Sequence, residues 1–194
     1  MEVKTVTLLG KIVRLEPLTL GHVPNLFAAS DPSIWKYMLY GNITSEKDMF
    51  DWVSDMLERA KAGADLPFAV ISLASGKAVG ATRYLEIRPQ HRSLEIGGTW
   101  YGRDYQRTGV NTECKYLLLK HAFESLGCIR VQFKSDSRNV RSIKAIKRIG
   151  ARSEGILRNH MILPDGTYRH SAYFSILDDE WPEVKVKLEE MMNK

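Results

Sequence analysis

The sequence has few of the residues that mark metal-binding or disulfide-linked proteins. Its two cysteines, Cys114 and Cys128, lack the paired spacing of a zinc site, and no extracellular context supports a disulfide. We predict that both are inert thiols. The histidines show no HExxH or other ligand spacing, so we expect no metal site; they are His22, His91, His121, His160 and His170.

Long apolar runs and leader-like segments are also missing. No segment approaches the ~20 apolar residues that span a bilayer. The first ten residues lack the charged start and long apolar stretch of a signal peptide. With no repeat or low-complexity tract, the 194 residues predict one domain, 1–194, in the cytoplasm and without a membrane partner.

Acidic residues are scarce in one basic segment. The formal net charge of the chain is +5, and residues 130–148 contain a single acid, Asp136. This pattern fits either a solvated helix face or a surface that attracts a polyanionic ligand or nucleic acid. The basic residues of the segment are Arg130, Lys134, Arg138, Arg141, Lys144, Lys147 and Arg148.

Short strands separated by turns dominate the first half of the chain and predict an antiparallel meander. The periodicity places these strands at 12–16, 68–73, 78–86 and 94–101. Helical spacing predicts two helices in the same half, over 19–30 and 45–63.

The organisation changes after residue 101. The strand 94–101, a helix over 112–126 and a strand over 129–134 form a strand–helix–strand unit, which predicts a parallel crossover. A helix over 139–149 follows, for which we expect Val140, Ile143, Ile146 and Ile149 to face inward. Two more strands and a final helix complete the chain, at 153–162, 168–177 and 183–192.

The resulting fold class is α/β (α+β). We expect a mixed, mostly antiparallel central sheet with one parallel βαβ unit and helices on both faces.

The loop between the parallel strand and its helix is the best candidate for a binding site. It reads Tyr105-Gln106-Arg107-Thr108-Gly109-Val110-Asn111. The first N–H groups of a helix have no intrahelical partner, and the helix dipole adds partial positive charge there. The loop therefore predicts an anion cradle.

Two motifs in this region resemble signatures of the GNAT superfamily of N-acetyltransferases. Residues 106–111 resemble its Gln/Arg-x-x-Gly-x-Gly/Ala loop, and Asn139-Val140-Arg141-Ser142 resembles its Asn-x-x-(Ala/Ser) helix start. Three further segments resemble the RimJ/RimL-like ribosomal-protein branch; they are Glu95-Ile96-Gly97, Thr112-Glu113 and Arg169-His170-Ser171-Ala172-Tyr173-Phe174. The resemblance covers about Val13 to Trp181.

The resemblance implies acetyl-CoA as acetyl donor and an amine as acceptor. It implies that the loop binds the pyrophosphate of the coenzyme and that Asn139 bonds the pantetheine arm. The loop departs from the family pattern at Arg107 and at Asn111, where Gly or Ala is usual; Asn tolerates unusual backbone angles, and Arg107 could bond a phosphate. The implied coenzyme residues are Trp100, Tyr101, Gln106, Arg107, Thr108, Gly109, Val110, Asn111, Thr112, Asn139 and Ser142.

The resemblance also implies the residues that carry the chemistry. Glu95 is the candidate base, since the family places a carboxylate in this strand. The tyrosine acid of other branches corresponds here to Ile146; the RimL-like branch is proposed to use a serine instead, and Ser142 matches that serine as the candidate acid. The acceptor is expected to lie along an aromatic wall of Trp35, Tyr37 and Tyr40, with Tyr168 opposite.

Two other functions stay open from the sequence. The basic segment 130–148 could serve a nucleic-acid-binding module, although it lacks interleaved aromatic residues for stacking. A catalytically silent GNAT fold that senses acyl-CoA is the second alternative. The family resemblance also suggests a homodimer.

Overall fold

The computed structural model describes residues 1–193, which are built around one eight-stranded sheet. The sheet order is β1-β2-β3-β4-β5-β6-β8-β7. Every neighbouring pair is antiparallel except β5 and β6, which are parallel. The predicted meander with one parallel unit is thus confirmed. The strands are β1 Leu8–Leu9, β2 Val13–Pro17, β3 Leu66–Ser72, β4 Ala78–Arg88, β5 Ser93–Tyr101, β6 Arg130–Asp136, β7 Arg152–Ile162 and β8 Tyr168–Leu177.

Six α-helices cover the two faces of the sheet within this part of the chain. The helix α3 begins with a capping box, in which the Ser45 hydroxyl and the Asp48 carboxylate each accept the other's backbone N–H. None of the helices described is long and apolar enough to cross a membrane. They are α1 Val23–Ala29, α2 Pro32–Trp35, α3 Glu46–Lys61, α4 Val110–Lys120, α5 Val140–Arg148 and α6 Trp181–Met192.

The sheet separates two hydrophobic cores. Successive residues of β3 alternate between them: Phe68 and Val70 lie in the core that α4 and α6 cover, while Ala69 and Ile71 lie in the core that α1, α2 and α3 cover. Because side chains alternate along a strand, a strand covered on both faces must be apolar throughout. This explains the nearly continuous apolar run of β3.

Three local expectations were wrong. The helix predicted over 19–30 begins only at Val23, because residues 20–22 form a tighter 3₁₀ turn in which Leu20 is exposed. Val140 does not face inward but is 58% exposed, since it is the first residue of α5; Ile146, two turns on, is buried. The short elements β1 and α2 were missed, because two to four residues carry no readable periodicity.

The parallel pairing of β5 and β6 is short. It joins Ser93–Glu95 to Arg130–Gln132 and extends no further in the described residues. Beyond it, β5 pairs only with β4 and β6 only with β8. Between Gly97 and Trp100 the register of β5 shifts, and Gly98 adopts a positive φ of 58°. The two strands therefore leave a gap between β5 residues 96–101 and β6 residues 133–136.

One buried carboxylate ties the first hairpin to the start of α4. Glu113 accepts hydrogen bonds from the backbone N–H groups of Lys11, Ile12 and Val13 at 2.7, 2.8 and 2.8 Å. At Gly10 a Cβ atom would lie 2.5 Å from the Glu113 carboxylate, so only glycine fits there. The carboxylate thus fixes the turn before β2 against the helix that follows β5.

We predict that Glu113→Ala lowers the free energy of unfolding by about 3 kcal/mol, because three N–H groups lose a charged acceptor in a largely buried place. Urea denaturation measures this loss. Glu46→Ala is the matched control, since Glu46 also lies in the first turn of a helix but is exposed. Equal losses in the two variants would contradict the anchoring role.

Candidate active site

Hydrogen bonds hold the loop between β5 and α4 against the end of β5 and against α5. The Gln106 side chain donates to the Tyr101 carbonyl oxygen at 2.9 Å and accepts from Arg141 Nη1 at 2.7 Å. A second link joins α5 to α4, where Arg148 Nη1 donates to Thr112 Oγ1 at 3.1 Å. Side chains of α5 therefore hold the loop in place.

The unusual backbone angle lies at Arg107 and not at Asn111. Arg107 has φ +61°, in the left-handed region that costs a non-glycine residue roughly 1–2 kcal/mol. Asn111 is helical, in the first turn of α4, and its Oδ1 accepts from the Tyr101 hydroxyl at 3.3 Å. The tolerance of Asn for unusual backbone angles is therefore not used at position 111. Strain of this kind is typical of ligand-binding loops.

The N-terminus of α4 presents donors toward the mouth of the gap. The first intrahelical hydrogen bond of α4 runs from the Glu113 N–H to the Gly109 carbonyl oxygen, at 3.0 Å. The N–H groups before it lie ahead of the helical ladder; that of Val110 donates to Thr108 Oγ1 at 3.3 Å. Arg107 is exposed beside them, and the role of these groups as an anion cradle stays a prediction.

The second motif begins α5 at the same end of the parallel pair. Asn139 is its N-cap, and Asn139 Oδ1 accepts from the Ser142 N–H at 3.1 Å. This leaves the Asn139 side-chain NH₂ available as a donor. Ser142 is partly buried, and its hydroxyl makes no hydrogen bond within residues 1–193. Because α4 follows β5 and α5 follows β6, both helix starts lie at one edge of the sheet.

Glu95 is the last residue of β5 that pairs with β6, so it stands where the gap begins. It is 2% exposed; Gln132 Nε2 donates to its carboxylate at 2.8 Å, and Lys134 Nζ lies 3.5 Å away. Burial raises the pKa of the Glu95 carboxyl above its usual range, although Lys134 and Gln132 oppose this shift. A buried carboxyl with a raised pKa is suited to accept a proton near neutral pH.

A polar network extends from Lys134 along β7 and β8. Lys134 Nζ lies 5.8 Å from the Tyr173 ring centroid, and the Tyr173 hydroxyl is 3.3 Å from His160 Nε2. His160 Nδ1 is 3.0 Å from Ser171 Oγ, which accepts from Arg169 Nε at 3.2 Å. The network gives the Glu95 side of the sheet a polar surface.

The predicted aromatic wall is only partly present. Trp35 is 2% exposed and packs on Trp52 and Trp100, with ring centroids 5.8 and 5.4 Å away, so it belongs to the core and not to an open wall. Tyr40 bonds Arg83 and packs edge-on against Trp52. Tyr37 is partly exposed and Tyr168 is exposed. Arg169 lies between them, because its Nη1 donates to the Tyr37 carbonyl oxygen at 3.4 Å and its backbone directly follows Tyr168 in β8.

Trp100 and Tyr101, the two residues at the end of β5 that were expected to contact the coenzyme, both have buried side chains. The Trp100 side chain is 3% exposed, and its indole N–H has no partner among the described residues. The Tyr101 ring is buried beside Cys114, whereas its carbonyl and hydroxyl face Gln106 and Asn111. In residues 1–193 no three His, Cys, Asp or Glu side chains cluster as metal ligands would.

A comparison with protein families shows that residues 13–152 match the acetyltransferase (GNAT) domain family. These residues include the gap, the loop and the start of α5. The chain belongs to the GNAT acetyltransferase family. A GCN5-related N-acetyltransferase from Brucella melitensis has 32% identity and a TM-score of 0.92, covering 98% of this chain and 86% of the other. The protein is accordingly an acetyltransferase with a GNAT fold.

More distant relatives agree with this assignment. The uncharacterized N-acetyltransferase p20 of Bacillus licheniformis is 26% identical over 134 residues, which are 68% of this chain and 73% of that protein. Mycobacterium smegmatis RimJ, solved in complex with CoA-disulfide, is 20% identical with a TM-score of 0.76, covering 96% of this chain and 93% of the other. At that identity the likeness to RimJ shows the fold alone.

Sequence reasoning missed one buried cation beside β5, Lys115. It lies in α4 and donates to Thr99 Oγ1 at 2.6 Å. The signal was present, since Lys115, Leu118, Leu119 and Ala122 follow helical spacing and all are buried. A lysine on such a stripe conflicts with its apolar neighbours, and that conflict identifies it.

We predict that Glu95→Gln becomes progressively more stable than the wild type as the pH rises above the usual titration range of glutamate. Because the folded-state pKa of Glu95 is raised, its contribution to stability is fully present at low pH and is lost as the pH rises through that pKa. Urea denaturation of both proteins between pH 4 and pH 8 measures the difference. A constant difference across that range would mean that Glu95 titrates as it does in the unfolded chain.

Proposed function

We propose that this GNAT protein is an acetyl-CoA-dependent N-acetyltransferase that acts on a primary amine by direct attack in a ternary complex. The observation that carries the proposal is the gap between β5 and β6. It begins at a buried carboxylate, Glu95, and its mouth lies at the two helix starts that the family motifs occupy.

The donor is expected to enter with its pyrophosphate on the loop 106–112. The N–H groups at the start of α4 supply hydrogen bonds, and Arg107 adds a positive charge. The pantetheine arm then runs into the gap, where strand pairing is missing and backbone groups of β5 and β6 are available as partners. Asn139 offers a side-chain donor near the mouth. The RimJ structure with a bound CoA derivative supports this mode for the fold.

The reaction joins the acceptor nitrogen to the acetyl carbon and breaks the carbon–sulfur bond. The amine must be neutral: at pH 7 this costs an α-amine about 1 kcal/mol and a lysine side chain roughly 4–5 kcal/mol. We assign proton removal from the amine to Glu95, directly or through water, because its raised pKa makes it a stronger base than an exposed carboxylate. The Ser142 hydroxyl protonates the departing thiolate and regains its proton from water.

The acceptor class follows from the branch that the motifs resemble, which is the ribosomal-protein N-terminal acetyltransferases. A relative from Bacillus subtilis, named as a ribosomal N-acetyltransferase (YdaF), is 24% identical over 177 residues and supports this branch. A protein N-terminal α-amine is the acceptor we favour, with small-molecule amines as the alternative. The single domain, the homodimer and the cytoplasmic location stay predictions.

Three arginines of the basic segment, on which the nucleic-acid alternative depends, form hydrogen bonds with other side chains of the chain. Arg141 bonds Gln106 of the loop, and Arg148 bonds Thr112 at the start of α4. A third, Arg138, makes a two-point ion pair with the buried Asp136. The basic segment therefore supports the coenzyme loop more than it forms an open surface.

Thiol release from acetyl-CoA tests the proposal. The purified protein is assayed against ribosomal N-terminal peptides, polyamines, amino acids and aminoglycosides, and mass spectrometry identifies the acetylated product. We expect at least one acceptor to raise thiol release above the background of hydrolysis. Tight acetyl-CoA binding without release for any acceptor would instead support an acyl-CoA sensor.

We predict that Glu95→Gln lowers kcat/KM by at least 100-fold with the acceptor identified above, since general-base catalysis contributes about that much. It also removes the rise of kcat/KM with pH that the Glu95 carboxyl imposes. Glu154→Gln is the control, because Glu154 pairs with Arg130 and Ser175 and does not contact Glu95. An unaltered rate and pH profile between pH 6 and pH 9 would reject the base.

We predict that Ser142→Ala lowers kcat by about tenfold or more while changing the Kd for acetyl-CoA little, because protonation of the thiolate matters only during bond breaking. Isothermal titration measures the affinity, and the thiol assay measures kcat. Ser153→Ala, an exposed serine of β7, serves as the control. A turnover equal to that of the wild type would remove Ser142 from the reaction.

A further inference from the structure

Lys115 is a buried lysine that the reaction described above does not use. It is 6% exposed and points from α4 toward the sheet. Lys115 Nζ donates to Thr99 Oγ1 on β5 at 2.6 Å and lies 6.0 Å from the Phe133 ring centroid on β6. One side chain thus contacts both strands of the parallel pair.

These contacts place Lys115 at the gap. Glu95 and Gln132 are the last residues of β5 and β6 that pair with each other. Thr99 lies four residues beyond Glu95, and Phe133 directly follows Gln132. The Lys115 ammonium therefore lies over the part of β5 and β6 where the two strands no longer pair. It approaches this part from the face of the sheet that α4 covers.

The ammonium has few partners in the described residues. Thr99 Oγ1 is its only hydrogen-bond acceptor there, although an ammonium carries three donors. The neighbouring carboxylate of Glu113 bonds the backbone of residues 11–13 instead. Burial without a counter-charge lowers the pKa of Lys115 to about 8. A buried cation with unused donors is costly unless another acceptor is present.

A purely structural role explains this arrangement poorly. Thr99 Oγ1 already lies 2.8 Å from Thr82 Oγ1, so the two hydroxyls can satisfy each other without the lysine. An apolar side chain at position 115 would fill the same space beside Phe133 without desolvating a charge. The partly exposed residues 97–99, between the buried Ile96 and Trp100, show that the gap reaches the surface beside Thr99.

We propose that Lys115 is a binding residue for the acyl donor, whose ammonium donates a hydrogen bond to a carbonyl oxygen of the acyl-pantetheine arm lying in the gap. This inference rests on the proposed function, because it assumes that the arm occupies the gap. It divides recognition of the donor in two: the loop 106–112 holds the nucleotide half, and Lys115 holds the pantetheine half.

The two halves can be separated by choosing the ligand. Acetyl-CoA carries the pantetheine arm, whereas adenosine 3′,5′-bisphosphate carries only the nucleotide end. Lys115→Met keeps an unbranched side chain that is one atom shorter, and it removes the donors. Lys120→Met is the matched control, because Lys120 lies on the same helix but is exposed.

Isothermal titration of each protein with each ligand tests the proposal. We expect Lys115→Met to raise the Kd for acetyl-CoA by about tenfold, the usual effect of losing a charged hydrogen bond, and to leave the Kd for adenosine 3′,5′-bisphosphate unchanged. Lys120→Met should change neither value. Lys115→Gln, which keeps one donor group, should recover part of the loss, and thermal unfolding of each variant confirms that it is folded.

Each other outcome has a definite meaning. Equal weakening of both ligands, or no weakening of acetyl-CoA, would overturn the role of Lys115 while leaving the proposed function intact. A wild type that fails to bind acetyl-CoA would reject the proposed function and this inference together. A gain of one acetyl group in the intact mass of the wild type but not of Lys115→Met would make Lys115 an acceptor and overturn its role as a donor.

Discussion

The site depends on a single interruption of hydrogen bonding in the sheet. Three residues of β5 pair with three of β6, and then each strand keeps only its outer neighbour. In this gap, two neighbouring strands inside the sheet present their backbone groups to a common space. A linear ligand with amides of its own can complete that pairing. The shift of register in β5 and the positive φ of Gly98 prevent the strands from closing again.

Two ionisable side chains beside the gap are buried, and their burial lowers the stability of the folded protein. Glu95 is buried with a raised pKa, and Lys115 is buried with a lowered one, from opposite faces of the sheet. Both groups would cost less free energy if they were apolar. The two cores supply the compensation, because β3, β4 and β5 bury apolar side chains on both faces of the sheet.

Sequence periodicity predicted the long elements because each has a repeating reason for its structure. The apolar run of β3 is such a local signal, and the fold class followed from the order of the predicted elements. Family motifs single out one loop and one helix start, and their role in binding the coenzyme stays a prediction. What could not be predicted is long-range: that the aromatic segment at Trp35 packs into the core, and that Glu113 reaches residues 11–13. None of these contacts leaves a periodic trace.

The bond between Glu113 and the backbone of residues 11–13 has a consequence for how the protein is handled and how it evolves. Glu113 lies in the first turn of α4, so the beginning of the chain and the loop 106–112 share one anchor. Material fused ahead of β1 or a shortened first hairpin acts on the same helix that orients the cradle. An affinity tag at that end is therefore joined to the segment that Glu113 anchors, whereas one placed after α6 leaves this anchor untouched.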